Sequence, residues 1–571
     1  MSRFGCTLRR WGVSNACTQT WRADTMHLIE TVLLLLLAVV VSGSIARITR
    51  IALPLVQIGL GAAIVLITGK TVDLEPDIFF LLFLPPLLFL DGWRIPKEHL
   101  FRDRAVILEL ALGLVLFTVV GLGFLIWWMI PEMPLPVAFA LAAILSPTDP
   151  IAVQAIASRS PIPKRLMHIL EGESLLNDAT GLTCMRIAVV AATTGAFSIG
   201  SAIGSFAWLA LVGVVTGVLV TMAISYAKGF VSRRWGEDVG AQILVSLLIP
   251  FAAYLVAEEL HASGILAAVA AGVTMSFTER GGGIGGQSLA MTRIRRGVVW
   301  DTVQFVANGI IFVILGEQMP SILARAAEVV RGTSRPEVWW LAVYVFAIVA
   351  ALAVMRFVWV WTSLKLTLFR RRHRGPPAKV GLRLTLVMSL AGVRGAITLA
   401  GILTLPFVLG DGSPMPSRNL AIFLAAGVII VSLLVATFAL PRLMKGVELP
   451  PEPSQEREED RGRVAAASAA LRAVEDASHA MAEGKTNPDL YSDVASRIME
   501  VYRRRIETHT RTDEDDAVVA RKIDAVERRL WLAGLAAERE ELGRLARARQ
   551  LDEVAARKMI REVDLQELRY L

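Results

Sequence analysis

From residue 27 to residue 441 the chain alternates long apolar runs with short polar connections. A helix needs about 20 mostly apolar residues to cross a membrane. Thirteen segments are predicted to do so, near 27–46, 51–68, 77–92, 105–130, 135–158, 169–194, 202–227, 240–258, 262–277, 298–317, 337–364, 384–407 and 419–441. Several contain Gly or Pro, which membrane helices tolerate better than soluble ones. Beyond Arg442 the pattern changes: Pro450, Pro451 and Pro453 mark a linker. Ala/Arg/Glu-rich helix formers follow, with Leu530, Trp531, Leu535, Leu542 and Leu545 at roughly helical spacing. The predicted fold class is an all-α polytopic membrane protein with a helical tail. Three regions are expected: a leader at 1–25, a transmembrane domain at 26–445 and a charged C-terminal region at 446–571. The leader carries Arg3, Arg9, Arg10 and Arg22 without an apolar stretch, unlike a signal peptide. Met26 is the expected start.

Composition sharpens this division. Of 571 residues, 54% are hydrophobic and 19% charged, with net charge +8; soluble domains average about 25% charged. Residues 451–571 hold 22 Lys/Arg and 26 Asp/Glu, leaving 37 and 25 in residues 1–450. The basic excess therefore lies between apolar runs, which excludes a nucleic-acid binder in favour of a membrane body. Alternate loops divide the Lys/Arg 23 to 5. The 23 mark the cytoplasmic side, placing the N-terminus outside and the tail inside, in the plasma (inner) membrane. Cys6, Cys17 and Cys184 suggest neither a disulfide framework nor a metal cluster.

Charged residues inside the apolar segments carry the chemistry, because an ionisable group at membrane depth is costly unless paired or hydrated. In the fifth segment, Ser146-Pro147-Thr148-Asp149-Pro150 interrupts the helix and frees carbonyls from the ladder. Such backbone persists in a membrane only when buried in protein or lining a cavity. The sixth segment reads Glu171-Gly172-Glu173-Ser174-Leu175-Leu176-Asn177-Asp178. Helical spacing puts Ser174 and Asp178 on one face and Glu173 and Asn177 on its neighbour. Arg356 lies deep in the eleventh segment and demands a carboxylate partner. Arg394 sits in the glycine-flanked Gly392-Val393-Arg394-Gly395 break of the twelfth. Taking segments 1–6 and 8–13 as two units, both breaks fall fifth, the mark of a secondary transporter built from inverted repeats. Arg186, toward the outer end of segment six, is expected to snorkel. No HExxH pair or GxxxxGK[ST] loop occurs, which disfavours a zinc protease and a nucleotide-driven pump.

Pro147-Thr148-Asp149-Pro150, Gly172-Glu173-Ser174-Leu175-Leu176-Asn177-Asp178 and Arg394-Gly395-Ala396 together resemble the monovalent cation:proton antiporters, in their sodium/proton exchanger branch. Phe83-Leu84-Pro85-Pro86, Ser263-Gly264-Ile265 and the run from Asn308 through Ile311-Phe312 to Gly316 add to the likeness, which covers about 27–445. The resemblance implies a homodimer with a dimerisation domain and a core domain, the latter holding crossed, unwound fifth and twelfth helices. It implies that Asp178 carries cation and proton in turn, with Na⁺ held by Asp178, Asp149, Ser174 and the Thr148 carbonyl. Asn177 belongs to the same site, Glu173 pairs with Arg356, and Arg394 offsets half-helix dipoles. An Asn-Asp pair implies electroneutral one-for-one exchange. Where relatives have Glu, this chain has the shorter Asp91, an accessory ligand.

The chemistry also stands without the family. Hard cations prefer the oxygen ligands available here. An aqueous aspartate is too acidic to carry a proton at neutral pH, and burial disfavours the ionised form. A cation and a proton can then compete for one carboxylate. A secondary transporter, not an enzyme, is expected. It needs no cofactor, only Na⁺, Li⁺ or K⁺, protons and the lipid bilayer. A K⁺/H⁺ antiporter of the same fold, a cation channel and a sensor regulated by the tail are the alternatives.

Overall fold

The computed structural model describes residues 15–69, 76–95, 104–149, 153, 164–195, 199–280, 290–331, 337–371, 382–409, 413–444, 453–482, 488–510, 514–568 and 570. Residues 1–14, Pro150, most of the expected second half of the fifth segment, the Gly281–Gly286 stretch, Pro450 and Pro451 lie outside them. The chain divides into two compact units, Met1–Val447 and Glu448–Leu571.

In the first unit the described residues are helical apart from turns and one isolated bridge, Val408 with Pro414. In chain order the helices are α1 (Asn15–Thr49), α2 (Leu53–Thr68), α3 (Pro76–Arg94) and α4 (Arg104–Leu108). A π-helical turn, Glu109–Leu114, leads into α5 (Val115–Met129), followed by α6 (Leu135–Leu145), α7 (Lys164–Thr194), α8 (Ile199–Trp235) and α9 (Val239–Glu259). Then come α10 (Gly264–Arg280), α11 (Ala290–Arg331), α12 (Trp339–Arg371), α13 (Leu382–Leu390), α14 (Ala396–Leu403) and α15 (Arg418–Met444). Eight described helical stretches are long and apolar enough to cross a membrane, one of them running from α4 through the π turn into α5, and α2, α6 and α10 are shorter apolar helices. α3 is a further apolar helix of 19 residues, and the twelfth segment is divided between α13 and α14. Several helices outrun their apolar cores. α8, α11 and α12 continue into basic residues such as Arg233, Arg295 and Lys365, so much of the positive charge used to orient the chain sits on helix ends.

Close helix packing rests on glycine, as expected where apolar lipid offers no hydrophobic drive and van der Waals contact must hold helices together. A Cβ on Gly61 of α2 would strike the Val313 carbonyl of α11, and one on Gly316 of α11 would strike the Ile58 carbonyl of α2. The α3–α10 contact repeats this, with Gly272 against the Phe89 carbonyl and Gly92 against that of Val269. Around α6, by contrast, α5, α7 and α15 bury a continuous apolar core that includes Leu141, Ile144, Leu182 and Leu424.

The second unit contains α16 (Pro453–Ala482), α17 (Pro488–Thr510), α18 (Glu514–Arg547) and α19 (Glu553–Glu567). α16 packs on α17, and α18 packs on α19 around a small core of their own, Leu535, Leu542 and Val563. Asp552 caps α19 by accepting from the Val554 and Ala555 N–H groups at 3.0 and 3.2 Å. Only part of the expected apolar stripe is covered: Leu530 and Trp531 stay exposed, Trp531 stacking on Tyr570 at 5.4 Å.

Candidate functional site

The two interruptions meet. α6 stops at Leu145, where Pro147 prevents its continuation, and α13 stops at Leu390 ahead of Gly392. The Asp149 N–H donates to the Val393 carbonyl at 2.7 Å, tying one break to the other. Arg394 donates through Nε to the Leu145 carbonyl at 2.9 Å and through Nη1 to the Gly392 carbonyl, so its charge lies at the negative end of α6. In return the Asp149 carboxylate lies against Gly395, which precedes α14, at a positive helix end. A Cβ on Gly395 would overlap that carboxylate, so the close approach requires glycine. Each break thus supplies the counter-charge for the other's half-helix.

α7 presents two polar faces. On one, Glu173 is 1% exposed and receives both ends of the buried Arg356 guanidinium, at 2.5 and 2.8 Å. Arg356 Nε donates to the Met388 carbonyl at 3.0 Å. Thr148 Oγ1 donates to Glu173 at 3.4 Å and accepts from Asn177 Nδ2 at 3.1 Å. Its hydroxyl is therefore engaged on the Glu173 side.

On the other face Ser174 and Asp178, both 3% exposed, line a cavity of about 20 Å³ with Thr148, half-buried Asp149, half-buried Asp91 and Asn308. One water needs roughly 10–15 Å³ by this measure, so the space suits a single small occupant. Leu87, Pro147, Gly395, Ile397 and Thr398 complete the wall. Among the described residues no basic side chain forms an ion pair with Asp178.

Of the residues singled out in the sequence, Thr148, Asp149, Ser174, Asp178 and Asp91 line this cavity together. Asn177 does not: its amide nitrogen serves Thr148, and its buried Oδ1 has no hydrogen-bond partner among the described residues. Its position one residue round the helix from Asp178 explains this. Arg186, expected to snorkel, instead meets Glu258 of α9 at 2.9 Å. Sequence reasoning missed Thr398 as a wall residue and used Asn308 only as part of a motif. An amide amid an apolar run was the available sign. It also missed the buried Glu317 of α11 and the π turn packed against α7. Among the described residues no cluster of three or more His, Cys, Asp or Glu side chains has metal-holding geometry.

Residues 32–446 match the family model described as "Sodium/hydrogen exchanger, transmembrane". A protein of Escherichia coli described as an uncharacterized Na(+)/H(+) exchanger, YjcE, is 40% identical over 95% of this chain and 98% of its own length. A Bacillus pumilus protein described as a sodium, potassium, lithium and rubidium/H(+) antiporter is 43% identical over 73% of this chain and 61% of its own length. The fold is similar to that of the sodium proton antiporter MjNhaP1 from Methanocaldococcus jannaschii. The TM-score is 0.56 at 18% identity, covering 74% of this chain and 99% of that one. The likeness read from the three motifs therefore holds over the whole membrane unit, and the chain belongs to the sodium/hydrogen exchanger family of cation/proton antiporters.

Proposed function

We propose that this chain exchanges Na⁺ or Li⁺ for H⁺ by alternating access, with cation and proton competing for Asp178. The carrying observation is the single-occupant cavity in which Asp178, Asp149, Ser174 and Thr148 converge. Hydroxyl, carboxylate and carbonyl oxygens suit a hard cation. With the Thr148 hydroxyl turned to Glu173 and Asn177, its backbone carbonyl is the oxygen left for the cation. A cation entering favours the ionised carboxylate and drives off its proton; a proton returning expels the cation. The site crosses loaded with one or the other. With one charge moved each way, the membrane potential of about 2.3 kcal/mol per charge per 100 mV drops out.

The architecture proposed for this cycle is thirteen spans in two inverted six-helix repeats. Reciprocal packing supports it: α2, second in the first repeat, packs on α11, third in the second repeat, while α3 and α10 pair in the converse positions. Matching glycine contacts occur at both. The structural ion pair is Glu173 with Arg356, and Arg394 compensates the half-helix ends. Asp91 is an accessory ligand. The working form is a homodimer in the plasma membrane, N-terminus outside and C-terminal region cytoplasmic, as the 23-to-5 loop bias favours.

A second reading, K⁺/H⁺ exchange at the same site, is favoured by the range of cations in the Bacillus pumilus relative's name. Inside-out vesicles with an acid interior decide between them. Adding Na⁺ or Li⁺ dissipates the gradient, Asp178→Asn abolishes the response, and an equal response to K⁺ establishes the broader exchanger. An unchanged response in Asp178→Asn refutes the site.

A further inference from the structure

On α7, Asp178, Leu182 and Arg186 follow one another at i, i+4 and i+8, so they stack on one face of the helix. Leu182 is buried beside Gly401 of α14, where a Cβ would meet both Leu182 and Ile144. Leu182, one helical turn beyond Asp178, also lines a second cavity of about 540 Å³. Leu182, Met185, Arg186, Tyr254, Glu258 and Thr404 line the second cavity. Across it, Arg186 Nη2 donates to Glu258 Oε1 at 2.9 Å, both side chains about one-third exposed. Glu258 is held at the α9–α10 turn, where the Gly264 N–H donates to it at 3.4 Å.

The pair joins two different groups of helices. α7 packs on α6 and the π turn, within the group that carries Asp149, Ser174 and Asp178. α9 packs on α8, α10 and α3, the group bound together by glycine contacts. We propose that Arg186 and Glu258 form a latch across the mouth of this cavity, which must part for Asp178 to be reached from that side. The inference rests on the alternating-access reading above. Glu258 neutralises the Arg186 charge while the mouth is shut. As the groups separate, both charges are released to water, which they already touch. A water-touching pair contributes only modestly to stability, so it biases the closed state without locking it. The loop bias places this mouth on the outer face.

The test uses the full chain in vesicles, with Cys6, Cys17 and Cys184 changed to Ser and Met185→Cys as reporter. Labelling by a membrane-impermeant thiol reagent is followed from each face. Arg186→Gln and Glu258→Gln are each expected to speed labelling about two- to fivefold, the bias such a pair can exert. The double reversal Arg186→Glu with Glu258→Arg is expected to restore the parent rate, which separates a latch from damage to the fold. Parent-like rates in both single variants, or a double reversal no closer to the parent than the singles, overturn the latch. Exchange is measured in the same vesicles with Asp178→Asn. Loss of the Asp178 reading then registers there, independently of labelling.

Discussion

Glu173 and Asp178 are carboxylates five residues apart on α7, both nearly inaccessible to solvent, and their surroundings are opposite. Glu173 is clamped by two hydrogen bonds from Arg356, whose third donor is taken by a backbone carbonyl. Asp178 faces a cavity with room for one small occupant and forms no ion pair among the described residues. Burial alone therefore does not make a transport site. A charge with a permanent partner becomes scaffold, whereas one whose partner must arrive from solution can exchange it. Helical geometry sets the two surroundings: five residues turn the side chain by about 140°, from the α12 side to the cavity side.

The largest expected effect comes from removing the exchangeable charge. Asp178→Asn should lower Na⁺-driven exchange at least about a hundredfold, since a neutral amide cannot alternate between proton and cation. Its thermal melting in detergent should stay near wild type, because no ion pair is lost. The fixed pair should behave conversely. Arg356→Gln leaves Glu173 buried without its counter-charge, at a cost of about 3–5 kcal/mol in stability. Glu173→Gln combined with Arg356→Gln should cost less than the sum of the single changes, read from a double-mutant cycle of melting temperatures. Equal melting losses in Asp178→Asn and Arg356→Gln would erase the distinction between the two faces.

Smaller effects sharpen the boundary of the site. Gly395→Ala drives a methyl group into the Asp149 carboxylate and should raise the apparent KM for Na⁺ about tenfold, or roughly 1.4 kcal/mol. Ser174→Ala and Thr398→Ala each remove one wall hydroxyl and should raise it about threefold, near the net value of a hydrogen bond. Asn177→Ala acts only through Thr148, so it should lower stability more than cation affinity. A KM change larger than that of Ser174→Ala would move Asn177 into the cation shell.

Much of this was legible in the sequence because membranes punish exceptions. A proline pair around Asp149, three carboxylates opening a helix and an arginine amid valines stand out against apolar runs. Their spacing set Ser174 and Asp178 on one face of the helix and Glu173 on its neighbour. What stayed hidden depends on contacts between distant segments. Arg186 and Glu258 are 72 residues apart and each looks like an ordinary helix-end charge. Thr398 reads as one hydroxyl among many until the α14 half-helix brings it to the cavity wall. The π turn at Glu109–Leu114 carries no proline or glycine pair to announce it. Its widened ring is visible only beside α7.

The central claim is that one carboxylate trades a proton for a cation. Titrating Na⁺ into the purified protein near neutral pH, in buffers of different ionisation enthalpy, measures this directly by calorimetry. About one proton should be released for each Na⁺ bound, and neither binding nor release should survive in Asp178→Asn. Na⁺ binding without proton release, or release that persists in Asp178→Asn, would contradict the account.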